Sequence, residues 1–242
     1  MLLENIVTVS KSDLAAIAKY RPLGAEPLTA AEVASIPILV ADTTIDLAGQ
    51  RWDKAEIEKM VELVVGNVFM PDHAWDEVMG VEGKIFKAAV ARVEPTAPFV
   101  DAIGLRRENL QAAVSDGGIW ACIAWAYVPA DSPWLDKIRF GAQDISLGGF
   151  WISHLECPAC RASFSEPGCT HVPKTAQMRD PAVLSQWEAA GFDVVPYAQM
   201  RGLYVSSEVS LVFAGMNTSA QVVTEDLAKH LTLDAPSLSL AA

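Results

Sequence analysis

The sequence predicts an α+β fold in which three or four helices accompany a closed or nearly closed sheet. Three observations lead to this prediction. Short apolar and β-branched runs recur along the chain, one segment repeats its apolar residues at helical spacing, and no internal repeat is present. With 242 residues, of which 51% are hydrophobic, the chain can bury the core of one large domain or two small ones.

The clearest predicted helix covers residues 53–66, at the start of "DKAEIEKMVELVVGN". Asp53 can cap its N-terminus, with Glu56 three residues later as the capping-box partner. Gly66 can end it. The apolar side chains fall on one stripe, formed by Ile57, Met60, Val61 and Val64. We therefore expect one face of this helix to be buried.

Shorter patterns predict the remaining elements. In chain order they are a helix at 11–20, a strand within 36–48, a strand at 84–93, a helix in "RENLQAAVSDGG", strands at 119–128 and 143–152, a helix in "DPAVLSQWEAAG", and one or two strands in "RGLYVSSEVSLVFAG". The strand at 119–128 is apolar on both faces, so its Cys122 should be a core thiol. Two glycines in "DISLGG" leave the backbone open after Ser146.

Composition excludes several classes of protein. The net charge of −12 disfavours a nucleic-acid-binding or anionic-membrane surface, because such surfaces cluster Lys and Arg. No secretory signal is visible at residue 1, and the longest apolar run is too short to span a bilayer as a helix. Four cysteines, three of them bunched, do not resemble a secreted disulfide framework. We expect a cytoplasmic protein with no nucleic-acid or membrane partner.

The bunched cysteines lie in "HLECPACRASFSEPGCTH", residues 154–171. A C-x2-C pair followed by C-x-H is the spacing of a structural Cys3His zinc site, and it predicts one Zn²⁺ ion in a small knuckle at 154–173. The predicted ligands are Cys157, Cys160, Cys169 and His171. Four protein ligands leave no position for a catalytic water. The alternatives are a loop with incidental thiols or a disulfide, and His154 is interpreted as a strand-end histidine.

Three further segments carry the residue types of a nucleophilic serine site: "DISLGG" contains Ser146, "MPDH" contains His73 and "EVSLV" contains Glu208. Taken singly, each has an ordinary interpretation. Ser146 is then a pleat-facing hydroxyl, His73 a loop histidine and Glu208 an exposed strand residue.

The order of these segments resembles that of the bacteriophage prohead proteases, serine proteases that mature viral capsids and share a fold with herpesvirus assemblins. The resemblance covers residues 36–223 through "VADTTIDLAGQ", the helix at 53–66, "FMPDH", "GKIFKAAVARV", "DISLGGF" and "SEVSLVFAGMNTSAQV". Some members carry a cysteine-rich insertion directly after the serine strand, where this chain has "CPACRASFSEPGCTH". The chain departs from the family in its second glycine after Ser146 and in "FAGMN", where a Pro-Ala-Asn turn is usual.

The resemblance implies an assemblin-like, mainly antiparallel β-barrel flanked by helices, with the zinc knuckle inserted. The protease domain would cover 36–223, between an N-terminal extension at 1–35 and a C-terminal tail at 224–242 that we expect to be flexible. Ser146 would be the nucleophile, His73 the base and Glu208 the third catalytic residue. His154 is the alternative third residue, because herpesvirus relatives use a second histidine.

The same resemblance implies substrates and a location. The substrates would be the phage scaffold, the scaffolding arm of the major capsid protein and the protease's own ends, inside assembling proheads in the host cytoplasm. The portal protein and a second copy in a homodimer are further expected partners. Two rival functions stay open: a non-catalytic capsid-assembly or scaffold-binding protein on the same fold, and an unrelated zinc-ribbon adaptor.

Overall fold

A computed structural model describes residues 9–46, 48–71, 73, 83–94, 117–139, 144–163, 185, 188–189, 197–212 and 220–234. The described chain is α+β, and its main feature is a closed seven-strand β-barrel of mixed direction. The prediction of an α+β fold around a closed sheet is therefore confirmed.

Three strands and one helix have ten or eleven residues each, and the other described elements are shorter. The helices are α1 (Lys11–Ala18), α2 (Lys54–Val64), α3 (Pro133–Arg139) and α4 (Glu225–Ala228). The strands are β1 (Val33–Asp42), β2 (Gln50–Arg51), β3 (Val68–Pro71), β4 (Gly83–Val93), β5 (Ile119–Pro129), β6 (Asp144–Gly148), β7 (His154–Glu156), β8 (Ala198–Arg201), β9 (Glu208–Val212), β10 (Gln221–Val222) and β11 (Leu231–Leu233).

The barrel runs in the order β4, β3, β9, β6, β10, β1 and β5, and the pairing of β5 with β4 closes it. Every neighbouring pair is antiparallel except β3 and β9, which run parallel. β11 adds to the outer edge of β4, and a separate three-stranded sheet has the order β2, β8, β7. Closure removes the exposed edges of the barrel strands, which would otherwise invite pairing with other chains.

The core fills the barrel and extends to α2. Ile38, Ile85 and Ile145, from three different strands, are fully buried in the same cluster as Ile57 and Met60 of α2. The apolar stripe predicted for this helix is thus the face that it buries. Cys122 is also fully buried, as predicted, and burial raises the pKa of its thiol.

The N-terminus of α2 confirms one predicted contact and corrects another. Asp53 caps the helix, since its Oδ1 accepts the Glu56 N–H at 2.9 Å. The capping-box role predicted for Glu56 is wrong. The buried Glu56 carboxylate instead accepts the backbone N–H groups of Gly202 at 2.9 Å and Leu203 at 2.8 Å. This helix therefore fixes the start of residues 202–207, here called the return segment, which leads into β9.

Several strands end at other residues than the sequence predicts, and the local backbone explains why. β1 ends at Asp42, whose Oδ1 accepts the Thr44 N–H at 2.8 Å in a turn. The strand expected at 143–152 stops at Gly148, because Gly149 has a φ of 55°. α4 and β11 lie within the segment expected to be a flexible tail.

Other predicted elements fall largely outside the described residues. The helix expected in "RENLQAAVSDGG" does so except for its two glycines, and of the helix expected in "DPAVLSQWEAAG" only residues 185, 188 and 189 are described, all helical. In the ranges that the structure covers, no helix has both the length and the apolar character needed to cross a membrane.

We predict that Glu56→Ala lowers the free energy of unfolding by roughly 2–4 kcal/mol, because two backbone donors lose a charged acceptor. Urea denaturation measures this change. Glu58→Ala is the matched control, since Glu58 lies on the same helix with a side chain 54% exposed, and should change stability by less than about 0.5 kcal/mol. Equal effects of the two substitutions would contradict the role assigned to Glu56.

Candidate active site

Strand β9 lies between the two elements that complete the candidate site. It pairs antiparallel with β6, placing Ser146 opposite Ser210 and Gly148 opposite Glu208. It pairs parallel with β3, placing Met70 beside Ser210. Directly opposite residues share a face of the sheet, and side chains on one face recur at every second residue. Ser146, Ser210 and Glu208 therefore project from the same face.

His73 follows the end of β3 and joins this face. Its Nδ1 is hydrogen-bonded to Glu208 Oε1, and its Nε2 lies 3.2 Å from Ser146 Oγ. The Glu208 side chain is only 1% exposed, whereas that of His73 is 41% exposed. Ser146 is half-buried. The carboxylate, imidazole and hydroxyl thus form a chain of hydrogen bonds from the barrel wall towards solvent.

The structure brings together the three side chains that the sequence singled out as Ser146, His73 and Glu208. It also decides which of the two candidate third residues faces the imidazole. Glu208 occupies that position, whereas His154 lies in β7, in the other sheet, opposite Arg201.

The backbone of His73 has an unusual conformation. Its φ is 54°, and among the described residues only Arg161 is a second non-glycine with positive φ. Left-handed backbone costs an L-residue about 1–2 kcal/mol, and such residues concentrate at functional sites. A hydrogen bond from the His73 N–H to Ser210 Oγ, at 3.3 Å, holds this conformation.

Ser210 is a site residue that sequence reasoning missed. Its fully buried hydroxyl accepts the His73 N–H and donates to Glu208 Oε2, so it orients both the base and the carboxylate. The signal was present in "EVSLV", since Ser210 follows Glu208 at the strand period. A serine in a strand is ordinarily only a pleat-facing hydroxyl. The pairing of Ser210 with Ser146, which the sequence does not show, is what places it in the candidate site.

Gly148 is the second residue whose role the sequence did not show. A Cβ atom at this position would lie 2.6 Å from Glu208 Cδ and 2.9 Å from His73 Nδ1. Both separations are below 3.0 Å, a distance to other heavy atoms that real Cβ atoms essentially never show. Glycine here therefore provides the space in which the carboxylate and the imidazole meet.

This geometry has a defined chemical capacity. A serine hydroxyl is a weak nucleophile until a base lies within hydrogen-bond reach, and His73 Nε2 provides that base for Ser146. The buried Glu208 carboxylate fixes the imidazole with Nδ1 as donor, and it stabilises the positive charge that the ring gains on accepting a proton. The arrangement can therefore support nucleophilic attack by Ser146.

The predicted zinc site is wrong. Within the described ranges, no group of three or more His, Cys, Asp or Glu side chains could hold a metal ion. Cys157 and Cys160 form a near pair, with the first buried and the second exposed, while Cys169 and His171 lie outside the described residues. Two thiols are half of the tetrahedral set that a structural zinc ion needs.

Ion pairs join the start of this segment to its neighbours. Glu156 Oε1 accepts from Arg161 Nη1 at 2.9 Å and from Arg201 Nη2 at 3.2 Å, and Arg201 also pairs with Asp53 at the start of α2. Burial raises the pKa of Glu156, but the hydrogen bonds and charges of the two arginines outweigh burial and lower it below its usual value. β7, β8 and α2 are thereby connected.

We predict that Gly148→Ala lowers the free energy of unfolding by roughly 1–3 kcal/mol, as overpacking typically does. In a Glu208→Ala background the added methyl group meets no carboxylate, and the His73 ring loses the hydrogen bond that holds it against position 148 and can move away, so most of this loss should disappear. Urea denaturation of the four proteins in the cycle measures the coupling. Losses that add to within about 0.5 kcal/mol would show that Gly148 and Glu208 act independently.

No protein-family model, no curated protein and no solved structure matches this chain. What the resemblance to the prohead proteases implies about this chain therefore stays an expectation from its sequence.

Proposed function

We propose that this chain is a serine endopeptidase of the prohead protease type, which cleaves phage scaffold and capsid-protein scaffolding arms. The observation that carries the proposal is the hydrogen-bonded arrangement of Ser146, His73 and Glu208. That arrangement supports acyl transfer to a serine. The assignment of peptide bonds as substrate, and of capsid proteins as their source, rests on the resemblance.

The proposed reaction has two steps. Ser146 Oγ attacks the scissile carbonyl while His73 Nε2 takes the hydroxyl proton, and the same proton passes to the leaving amine as the C–N bond breaks. The product is an acyl-enzyme ester on Ser146. His73 then removes a proton from water, whose oxygen attacks the ester, and returning that proton to Ser146 restores the hydroxyl.

Glu208 acts in this scheme without exchanging a proton. Its carboxylate keeps the Nδ1–H of His73 pointing away from Ser146, so Nε2 stays available as the base. Because Glu208 is buried, its charge acts on the imidazolium with little screening by solvent.

We predict that the purified wild-type chain cleaves itself or a phage scaffold protein, and that Ser146→Ala and His73→Ala do not. Mass spectrometry of the fragments measures this and maps the cleavage sites. Ser12→Ala is the control, because Ser12 is exposed on α1 and should leave cleavage unchanged. If the wild type, Ser146→Ala and His73→Ala all leave the substrates intact, the protease proposal falls and the non-catalytic assembly function takes its place.

We predict that Ser210→Ala lowers kcat by roughly tenfold to hundredfold with little change in KM, because it releases two catalytic groups from their orientation. Steady-state cleavage of a mapped peptide measures both constants. Ser35→Ala is the matched control, since Ser35 is also a buried barrel serine but lies on β1. A change in KM alone, or an equal fall in kcat for both variants, would contradict this role for Ser210.

A further inference from the structure

One side-chain hydrogen bond joins the starts of the two parallel strands that carry the candidate site. Asn67 directly precedes β3, and Ser206 lies in the return segment two residues before β9. Asn67 Nδ2 donates to Ser206 Oγ at 2.7 Å. Asn67 is buried and Ser206 is half-buried. Because the two residues are 139 positions apart in the sequence, this bond is a tertiary contact. The pair is here called the entry clamp.

The backbone of Asn67 is itself fixed. Its N–H donates to the carbonyl of Val64, the last residue of α2, at 3.0 Å, and its own carbonyl accepts the Ile85 N–H of β4 at 2.9 Å. Both main-chain groups of Asn67 are therefore paired, and its side chain starts from a defined position. Burial makes the amide depend on Ser206, because a buried donor that loses its acceptor costs free energy.

The strand pairing that follows the entry clamp is short. β3 and β9 are joined over four residue pairs, from Val68 with Glu208 to Pro71 with Leu211. Pro71 has no backbone N–H to donate. A pairing of this length is held by few backbone hydrogen bonds, so a buried side-chain bond at its start contributes a large share of what sets its register.

The register of these two strands determines whether the candidate catalytic groups meet. His73 comes two residues after the end of β3, and Glu208 begins β9. His73 Nδ1 is hydrogen-bonded to Glu208, and the His73 N–H reaches Ser210 Oγ at 3.3 Å. One residue of strand advances the chain by about 3.3 Å, so a shift of β3 along β9 by a single residue would break both contacts.

We propose that Asn67 and Ser206 are positioning residues for the reaction of Ser146. Their hydrogen bond fixes β3 against β9 and thereby holds the His73 imidazole against the Glu208 carboxylate. They act through these two groups and not on the substrate. Their part in catalysis rests on the proposed function, whereas their effect on the hydrogen bond between His73 and Glu208 does not.

NMR of the proton on His73 Nδ1 tests the entry clamp without any substrate. The charge-assisted hydrogen bond to Glu208 is strong, which moves this proton far downfield. In Asn67→Ala and in Ser206→Ala we expect the signal to move upfield or to be lost through exchange with water. Ser206→Thr keeps a hydroxyl and should keep the signal. The double variant Asn67→Ala/Ser206→Ala should behave like either single variant, because both changes remove the same bond.

Ile57→Val is the control for a loss of stability alone. Ile57 is fully buried on α2, and its truncation destabilises the core without changing either residue of the entry clamp. It should leave the His73 signal unchanged. If Asn67→Ala lowers the urea midpoint of unfolding but keeps the wild-type signal, the pair is merely structural and the inference is overturned. Additive shifts in the double variant would also overturn it. Should Asn67→Ala not fold, Ser206→Ala decides by the same criteria, because it is the smaller change and at a half-buried position.

Kinetics separates failure of this inference from failure of the proposed function. With a cleavage site mapped, Asn67→Ala should lower kcat by roughly tenfold with little change in KM, because it misplaces the base and not the substrate. A wild-type chain that cleaves no peptide, but whose His73 signal is lost in Asn67→Ala, would sink the protease proposal and leave the entry clamp in place. A chain that cleaves equally well with and without Asn67 would do the reverse.

Discussion

The site depends on the position of one strand, β9, between β3 and β6. This strand carries Glu208 and Ser210 on the face where Ser146 projects from β6, and His73 arrives directly after β3. The decisive interaction is the hydrogen bond between the buried Glu208 carboxylate and His73 Nδ1, since it sets which ring nitrogen faces Ser146. A slip of one residue in the pairing of β9 would turn both of its polar side chains to the opposite face. Val209 and Leu211 of β9 are buried in the core, and a slip would expose them, so their burial disfavours it.

Neighbouring residues leave space for the hydrogen bond between Glu208 and His73 and fix the two side chains in position. Gly148 has no side chain to collide with the Glu208 carboxylate and the His73 ring. The left-handed backbone of His73 directs its ring back over the sheet. Further away, the Glu56 carboxylate fixes the return segment, so that β9 begins from a defined point.

Sequence patterns predicted the parts of the fold that are long enough to show a period. α2, β4 and β5 were found in this way, whereas β2 and β10, with two residues each, are too short for alternation to be visible. Ser146, His73 and Glu208 were singled out by the order of motifs, because no local pattern around any of them is specific. Gly148 and Ser210 could not be recognised without the register that makes them neighbours of these groups.

The zinc prediction was wrong because the C-x2-C spacing gives the ligand types but not their placement in space. Glu56 was misassigned for a similar reason, since the capping-box pattern cannot show a stronger partner far along the chain.

We propose that Glu208 orients His73 so that Nε2 is the base for Ser146. NMR of the ¹⁵N-labelled histidine rings tests this most directly, with the His73 signals identified by their loss in His73→Gln. At a pH where the ring is neutral, we expect a single tautomer with Nδ1 protonated, a strongly downfield Nδ1–H proton, and loss of that proton signal in Glu208→Gln. A mixture of tautomers typical of a solvated histidine, unchanged in Glu208→Gln, would contradict it.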